Sequence, residues 1–182
     1  ILQTVNVRSP EAFLSIQDAF SPSMDMWSFG CLLFEAVTKT FLYPFISAIS
    51  NDSEIDSKND CYSEGLATFF FDFLLTTYDK QEIFAFFTWF QQKNYLPKYP
   101  SWISLQERLQ KTTANPNVPN PFKKFHDEVY KCFSSKQAEV LENLLHGCLR
   151  LNPEDRVSPE QALEILQNIS FPRAERRLRK KH

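Results

Sequence analysis

The strongest constraint on the fold is one helix-forming segment that is apolar on nearly every face. It begins at Ser21–Pro22, where Ser suits the helix cap and Pro the first helical position. Asp25 then falls in the first turn, where the helix dipole favours an acid. From Met26 to Val37 the run is apolar, interrupted mainly by Ser28 and Glu35. Because a helix that is apolar all round is a buried helix, we predict that this one lies at the centre of the fold.

The last third of the chain predicts two more helices. A stripe at spacing i, i+3, i+4, i+7 is formed by Leu141, Leu144, Leu145 and Cys148. Ser134 and Gln137 are spaced as a capping box for this helix. Ser158–Pro159 begins the second helix, with Gln161 three residues after the cap Ser.

The middle of the chain is rich in aromatic residues and in loop-forming residues. The segment 66–90 predicts two helices that break near Thr76–Thr77, with its Phe and Trp side chains in the core. The acidic segment 51–64 predicts an exposed insertion, and the Pro-punctuated segment 94–122 predicts irregular structure. The predicted class is therefore mainly α, with long loops.

Residue chemistry alone reveals no active site. The chain has three Gly, at positions 30, 65 and 147, and they are too far apart for a Gly-rich phosphate loop. The four Cys include no C-x-x-C pair, and no His lies at metal-ligand spacing, so we expect no metal site. Lone His residues such as His126 and His146 are typical of structural or surface positions.

Composition limits the compartment and the partners. Cys31 and Cys148 lie in apolar runs and predict reduced thiols inside the cell, in cytoplasm or nucleus. No run of about 18 apolar residues occurs, so we expect no membrane span. The net charge of −2 argues neither for nor against nucleic acid as a partner of the whole chain, and we expect no such partner. The tail 173–182 holds six Lys or Arg against one Glu. That tail predicts a solvated end, with a localisation signal or anion-binding patch as the alternative.

Three separated segments carry the most informative pattern. They are Arg8–Glu11 (RSPE), Asp25–Cys31 (DMWSFGC) and Leu149–Arg156 (LRLNPEDR), the last followed by a capped helix. In this order they resemble the C-terminal lobe of a eukaryotic Ser/Thr protein kinase. Glu11 matches the Glu of the A-P-E signature that closes the activation segment, with Ser9 in place of Ala.

The resemblance implies a role for each matched residue. The family's central helix uses the Asp matching Asp25 to hold the catalytic-loop backbone, and the Glu matching Glu11 pairs with the Arg matching Arg156. Thr4 and Arg8 match residues near the substrate groove. Trp27 and Gly30 match structural positions of the same central helix. None of these residues is implied to be catalytic.

The branch implied is the CMGC group, which joins cyclin-dependent, mitogen-activated, glycogen-synthase and dual-specificity kinases. Arg8 resembles the Arg that this group has three residues before the Glu matching Glu11. The segments Leu14–Asp18 and Asn120–Phe125 are similar to casein kinase II. The SR-protein kinases are a nearby alternative. The resemblance implies a partial kinase domain over 1–170, with a CMGC-like insert at 45–130 and a basic tail at 171–182.

The departures from the family are as informative as the matches. Its phosphate loop, strand Lys, H-R-D loop and D-F-G Asp would precede the point matching Ile1, and none occurs in this sequence. Asp72–Leu74 (DFL) lacks the Gly of the metal motif and follows the central helix. We therefore expect the chain to bind no cofactor, and to be inactive alone, while ATP and Mg²⁺ would serve the full-length kinase. We also expect it to expose the surface that the absent part would cover.

Three functions remain open from the sequence. The first is the C-terminal lobe of a Ser/Thr kinase that acts on a protein substrate, with a regulatory protein as a further partner. The second is a pseudokinase scaffold that binds proteins without phosphoryl transfer. The third is a helical interaction module with coincidental motifs, which a structure with Glu11 far from Arg156 would favour.

Overall fold

The regular secondary structure in the described part of the chain consists of helices. A computed structural model describes residues 7–14, 21–43, 70–94, 120–167 and 169, and these ranges contain no strand, as the mainly α prediction requires. The helices are α1 Pro10–Leu14, α2 Pro22–Thr38, α3 70–77, α4 Lys80–Gln92, α5 Pro121–Cys132, α6 Ser135–Cys148 and α7 Pro159–Gln167, with a 3₁₀ turn at Pro153–Asp155.

Helix α2 lies at the centre, as predicted. It packs against α5, α6 and the 3₁₀ turn, while α5 packs on α6 and α6 on α7. Its side chains Trp27 and Phe34 are almost completely enclosed, and Phe34 stacks on Phe125 of α5 with ring centroids 6.2 Å apart. These contacts place the apolar side of α2 in the main core.

The prediction that α2 is buried on nearly every face is wrong for one stripe. Asp25 and Ala36 are exposed, Leu32 is 56% exposed, and Phe29 is half-buried between them. The four residues are spaced i, i+4, i+7, i+11 and therefore share one side of the helix. The apolar residues of α2 therefore include some that the described helices do not cover.

The aromatic segment forms the core that its composition predicts. Buried members of α3 and α4 are Phe70, Phe71, Phe73, Phe86, Phe87, Trp89 and Phe90. The break between the helices lies at Tyr78–Asp79 rather than at Thr76–Thr77, because the Asp79 side chain caps α4 by accepting from the Glu82 amide at 2.7 Å.

Two predicted helix starts are confirmed, and a third differs in detail. At α7 the Gln161 amide donates to Ser158 Oγ at 3.2 Å, and the Ser158 amide donates to Gln161 Oε1 at 2.8 Å. At α6 the Ser134 amide donates to Gln137 Oε1 at 3.2 Å. Ser21 holds the cap position of α2, but its hydroxyl bonds the Ser23 hydroxyl at 2.6 Å instead of a helix amide.

Gly30 marks the closest approach between α2 and the end of α6. A Cβ at this position would lie 2.7 Å from Leu149 Cδ2 and 2.9 Å from Cys148 Cβ. Both distances are shorter than carbon atoms tolerate, so the absence of a side chain lets the two segments meet.

Several predictions fall outside the described residues. They concern the acidic segment 51–64, the residues 95–119 of the Pro-punctuated segment, the basic tail, Cys61 and Thr4. In the described ranges, no helix combines the length and apolar character needed to cross a membrane.

Candidate functional site

An ion pair buried in the core joins two distant parts of the chain. Arg156, just after the 3₁₀ turn, donates from Nη1 to Glu11 Oε1 at 2.6 Å and from Nη2 to Glu11 Oε2 at 2.7 Å. The side chains are 0% and 2% exposed, respectively. A bidentate bond of this kind uses the planar fork of Arg, which matches the geometry of a carboxylate.

The remaining donors of Arg156 are also satisfied. Nε donates to the Arg150 carbonyl at 2.7 Å, Nη1 to the Ser23 carbonyl at 3.1 Å, and Nη2 to the Leu151 carbonyl at 3.0 Å. With the two bonds to Glu11, all five N–H donors of the guanidinium have an acceptor. The charge is thus paired and fully hydrogen-bonded, which is the condition under which a buried ion pair is tolerated.

The indole of Trp27 forms one wall of this site. Its side chain is 0% exposed, and the Arg156 Cζ atom lies over its ring at 5.0 Å from the centroid. This is a cation–π arrangement shielded from water. Arg156 therefore connects α1, α2 and the turn before α7 in one place.

A second group of contacts holds the chain just before α1. The Ser28 hydroxyl of α2 donates to the Val7 carbonyl at 3.0 Å. The Tyr43 hydroxyl, from the segment that follows α2, donates to the Arg8 carbonyl at 3.2 Å. Ser9 is completely buried. Residues 7–9 are thus attached to α2 and to the segment that follows it.

Two buried thiols lie beside the ion pair and are poor nucleophiles. Burial raises the pKa of the Cys148 thiol to about 12, against the partial opposition of the Arg156 charge. Burial likewise raises the pKa of Cys31 well above its usual range. Both are neutral thiols near pH 7, and their environment suits a packing role rather than a reactive one.

A cavity of about 200 Å³ adjoins the ion pair on the side of α4. The Lys93 ammonium and the Glu154 carboxylate, which line it, form an exposed ion pair at 2.7 Å. The Lys93 ammonium, through its hydrogen bond, is the main cause that lowers the pKa of Glu154. The full lining is Glu11, Ser21, Ser23, Trp89, Lys93, Pro153 and Glu154.

The structure brings three of the predicted residues together and leaves others apart. Glu11, Trp27 and Arg156 meet at the ion pair, and Arg8 lies three residues before Glu11 with its side chain half-buried. Asp25 is exposed, and no hydrogen bond or ion pair to its carboxylate comes from the described residues.

Two residues that sequence reasoning missed are Tyr43 and Tyr78. Their hydroxyls bond main-chain carbonyls of Arg8 and Leu149, 35 and 71 residues away. No local pattern marks either Tyr, because its partner is set by tertiary packing. Ser28 had a signal, since it is a polar residue in an otherwise apolar run.

Nothing in the described ranges forms a metal site. No group of three or more His, Cys, Asp or Glu side chains there is arranged to hold a metal ion.

Comparison with known families gives one match. The model of the protein kinase domain family matches residues 1–166. No solved structure matches the chain significantly.

Individual relatives point the same way. A serine/threonine-protein kinase SSN3 of Scheffersomyces stipitis is 27% identical over 96% of this chain and 35% of its own length. A probable cyclin-dependent serine/threonine-protein kinase of Dictyostelium discoideum is 30% identical over 88% of this chain and 19% of its own length. The SSN3 kinase of Candida albicans is 26% identical over 90% of this chain and 24% of its own length. The chain thus spans about a third or less of these relatives.

Proposed function

The chain belongs to the protein kinase family, and on that premise we propose that it is the C-terminal lobe portion of a Ser/Thr protein kinase of the CMGC group. The observation that supports this most is the bidentate bond between Glu11 and Arg156, 145 residues apart in sequence. It unites the segment matching the end of an activation segment with the segment that precedes the last helix. A helical module with coincidental motifs has no reason to place these residues together.

In this proposal the full-length kinase transfers a phosphoryl group from ATP to a Ser or Thr hydroxyl of a protein substrate. Such transfer needs a base Asp, a metal-binding Asp and a phosphate-binding Lys in one site. The sequence contains no Gly-rich loop, no H-R-D and no D-F-G. The chain alone is therefore inactive, and its residues supply the substrate platform, with Thr4 and Arg8 near the groove.

The exposed stripe of α2 supports a further role in this proposal, which is to hold the catalytic loop of the full-length kinase. It begins with the carboxylate of Asp25 and continues with the apolar side chains Leu32 and Ala36. A carboxylate in this position accepts hydrogen bonds from the backbone of a catalytic loop, and the apolar residues cover its underside. Such an uncovered apolar strip on a central helix is typical of a surface that another segment covers.

Substitution of Asp25 tests this support role. In the full-length protein, Asp25→Asn lowers kcat by about tenfold or more, since the loop loses a charge-assisted acceptor. In the isolated chain the same change shifts the melting temperature little, because the side chain is exposed. Leu163→Gln, at a position of α7 that is 56% exposed, is the control that leaves both quantities unchanged.

The experiment that decides between enzyme and scaffold uses the full-length protein. We expect transfer of labelled phosphate from ATP and Mg²⁺ to a protein substrate at Ser or Thr, and none by the isolated chain. Full-length protein that binds partners but transfers no phosphate would instead establish the pseudokinase scaffold.

A further inference from the structure

We propose that Tyr43 and Ser28 are positioning residues for the peptide substrate, because they fix the backbone of Val7 and Arg8 at the edge of the substrate platform. The inference rests on the proposed function, since it assigns Tyr43 and Ser28 to the groove in which Arg8 is placed. Neither residue touches the reacting atoms in this proposal. Both act through the segment 7–9.

The Tyr43 phenol is held in one orientation. Its residue is 1% exposed, and its ring meets Phe73 edge-on at 5.0 Å and Phe70 at 6.0 Å between centroids. From this position Oη reaches the Arg8 carbonyl at 3.2 Å. Burial raises the pKa of Tyr43 well above 10, so the hydroxyl remains a donor at any pH at which the protein is active.

Ser28 holds the neighbouring peptide group. Its hydroxyl lies 3.0 Å from the Val7 carbonyl and 3.2 Å from the Met24 carbonyl of its own helix. Two consecutive carbonyls, those of Val7 and Arg8, therefore accept bonds from two different elements. Fixing both peptide planes limits the backbone torsions between them, and these torsions set the direction of the Arg8 side chain.

The aromatic cluster makes this anchorage rigid. Phe13 of α1 stacks on Phe70 with ring centroids 4.7 Å apart, and Phe70 also contacts Tyr43. The segment 7–9 is thus attached at the Arg8 carbonyl through Tyr43, at the Val7 carbonyl through Ser28 and, a few residues later, through the ring of Phe13. Buried Tyr hydroxyls are usually hydrogen-bonded, and this one donates to a main-chain segment that the proposed function places in the groove.

Tyr43→Phe is the sharpest test, because it removes the hydroxyl and keeps the ring. In the full-length protein we expect the KM for a peptide substrate to rise about two- to tenfold, as for the loss of one hydrogen bond. The KM for ATP and kcat stay unchanged. Ser28→Ala raises the peptide KM in the same direction.

Tyr78→Phe is the matched control. Tyr78 belongs to the same aromatic cluster, and its buried hydroxyl donates to the Leu149 carbonyl at 2.6 Å, away from the segment 7–9. It should lower stability about as much as Tyr43→Phe, yet leave the peptide KM unchanged. Equal peptide KM values for the two variants would overturn the proposal.

Hydrogen exchange separates this inference from the proposed function. We expect faster amide exchange in the peptide that covers residues 7–14 for Tyr43→Phe, and wild-type exchange there for Tyr78→Phe. Unchanged exchange in Tyr43→Phe refutes the anchorage whatever the activity. A wild-type protein that transfers no phosphate refutes the proposed function, and the anchorage is then decided by exchange alone.

Discussion

Arg156 is the residue that joins three separate parts of the described structure. Its guanidinium is enclosed by α1, α2 and the turn before α7, and each of its donors has an acceptor. Burying such a charge is costly in isolation, and the favourable geometry offsets that cost only while Glu11 is present. The pair is therefore a point of high sensitivity to substitution.

Substitution of Arg156 measures this sensitivity. Arg156→Ala leaves the Glu11 carboxylate buried and unpaired, which lowers the free energy of unfolding by about 3–5 kcal/mol. Arg150→Ala is the control, because that side chain is 54% exposed and lies 3.8 Å from Glu82. Arg179→Ala in the basic tail is a second control. Similar urea midpoints for all three variants would contradict the buried pair.

We expect the thiols to differ in reactivity because they differ in burial. Burial raises the pKa of Cys31 and Cys148, so their thiolate fraction at pH 8 is negligible, whereas Cys132 is exposed. In native protein at pH 8, iodoacetamide should modify Cys132 while Cys31 and Cys148 react only after denaturation. Mass spectrometry of the labelled peptides checks this, and early labelling of Cys148 would count against its burial.

Helix α2 has two sides with different tasks. One side carries Trp27, Cys31 and Phe34 into the core, and the other presents Asp25 and Leu32 outward. In the proposed kinase lobe the apolar sequence of the helix suits both sides, since burial by the described helices and burial by a further segment require the same residue types.

Truncation of one side chain on each side of α2 separates the tasks. Phe34→Ala should lower the free energy of unfolding by about 3–5 kcal/mol, because it empties a well-packed position. Leu32→Ala should change the stability of the isolated chain by about 0.5 kcal/mol or less, as surface changes do. In the full-length protein we expect Leu32→Ala to become clearly destabilising. Equal effects of Leu32→Ala in both forms would argue that nothing covers the stripe.

For the molecule as a whole, the turn at 149–156 fastens α4 to the centre. The Tyr78 hydroxyl just before α4 bonds the Leu149 carbonyl at 2.6 Å, and Lys93 just after it pairs with Glu154 at 2.7 Å. The same turn delivers Arg156 to Glu11. The turn at 149–156 therefore contacts the residues at both ends of α4 and the site that holds α1.

The isolated chain can be tested for nucleotide binding and for phosphoryl transfer. We expect it to show no heat of binding with ATP and Mg²⁺ by calorimetry, and no phosphorylation of a peptide. The reason is that its sequence contains neither a Gly-rich loop nor the H-R-D and D-F-G motifs. Saturable nucleotide binding by the isolated chain would disprove this prediction.

Local patterns were sufficient to predict α2, α3, α4, α6 and α7 and several of their ends, whereas α1 and α5 were not predicted. Capping residues such as Ser158 and Gln161, and the apolar stripe of α6, act over three to seven residues, so they can be read along the chain. The break before α4 was misplaced by two residues, because Asp79 rather than the Thr pair supplies the cap.

The pairing of Glu11 with Arg156 was predicted from the sequence through family resemblance, and the central position of α2 was predicted from its apolar residues. Their bidentate geometry, the exposed stripe of α2 and the bonds from Tyr43 and Tyr78 to distant carbonyls are properties of the folded molecule. These contacts span 35 to 145 residues of sequence. Helical periodicity and capping operate within one or two turns, whereas such contacts depend on how whole helices pack.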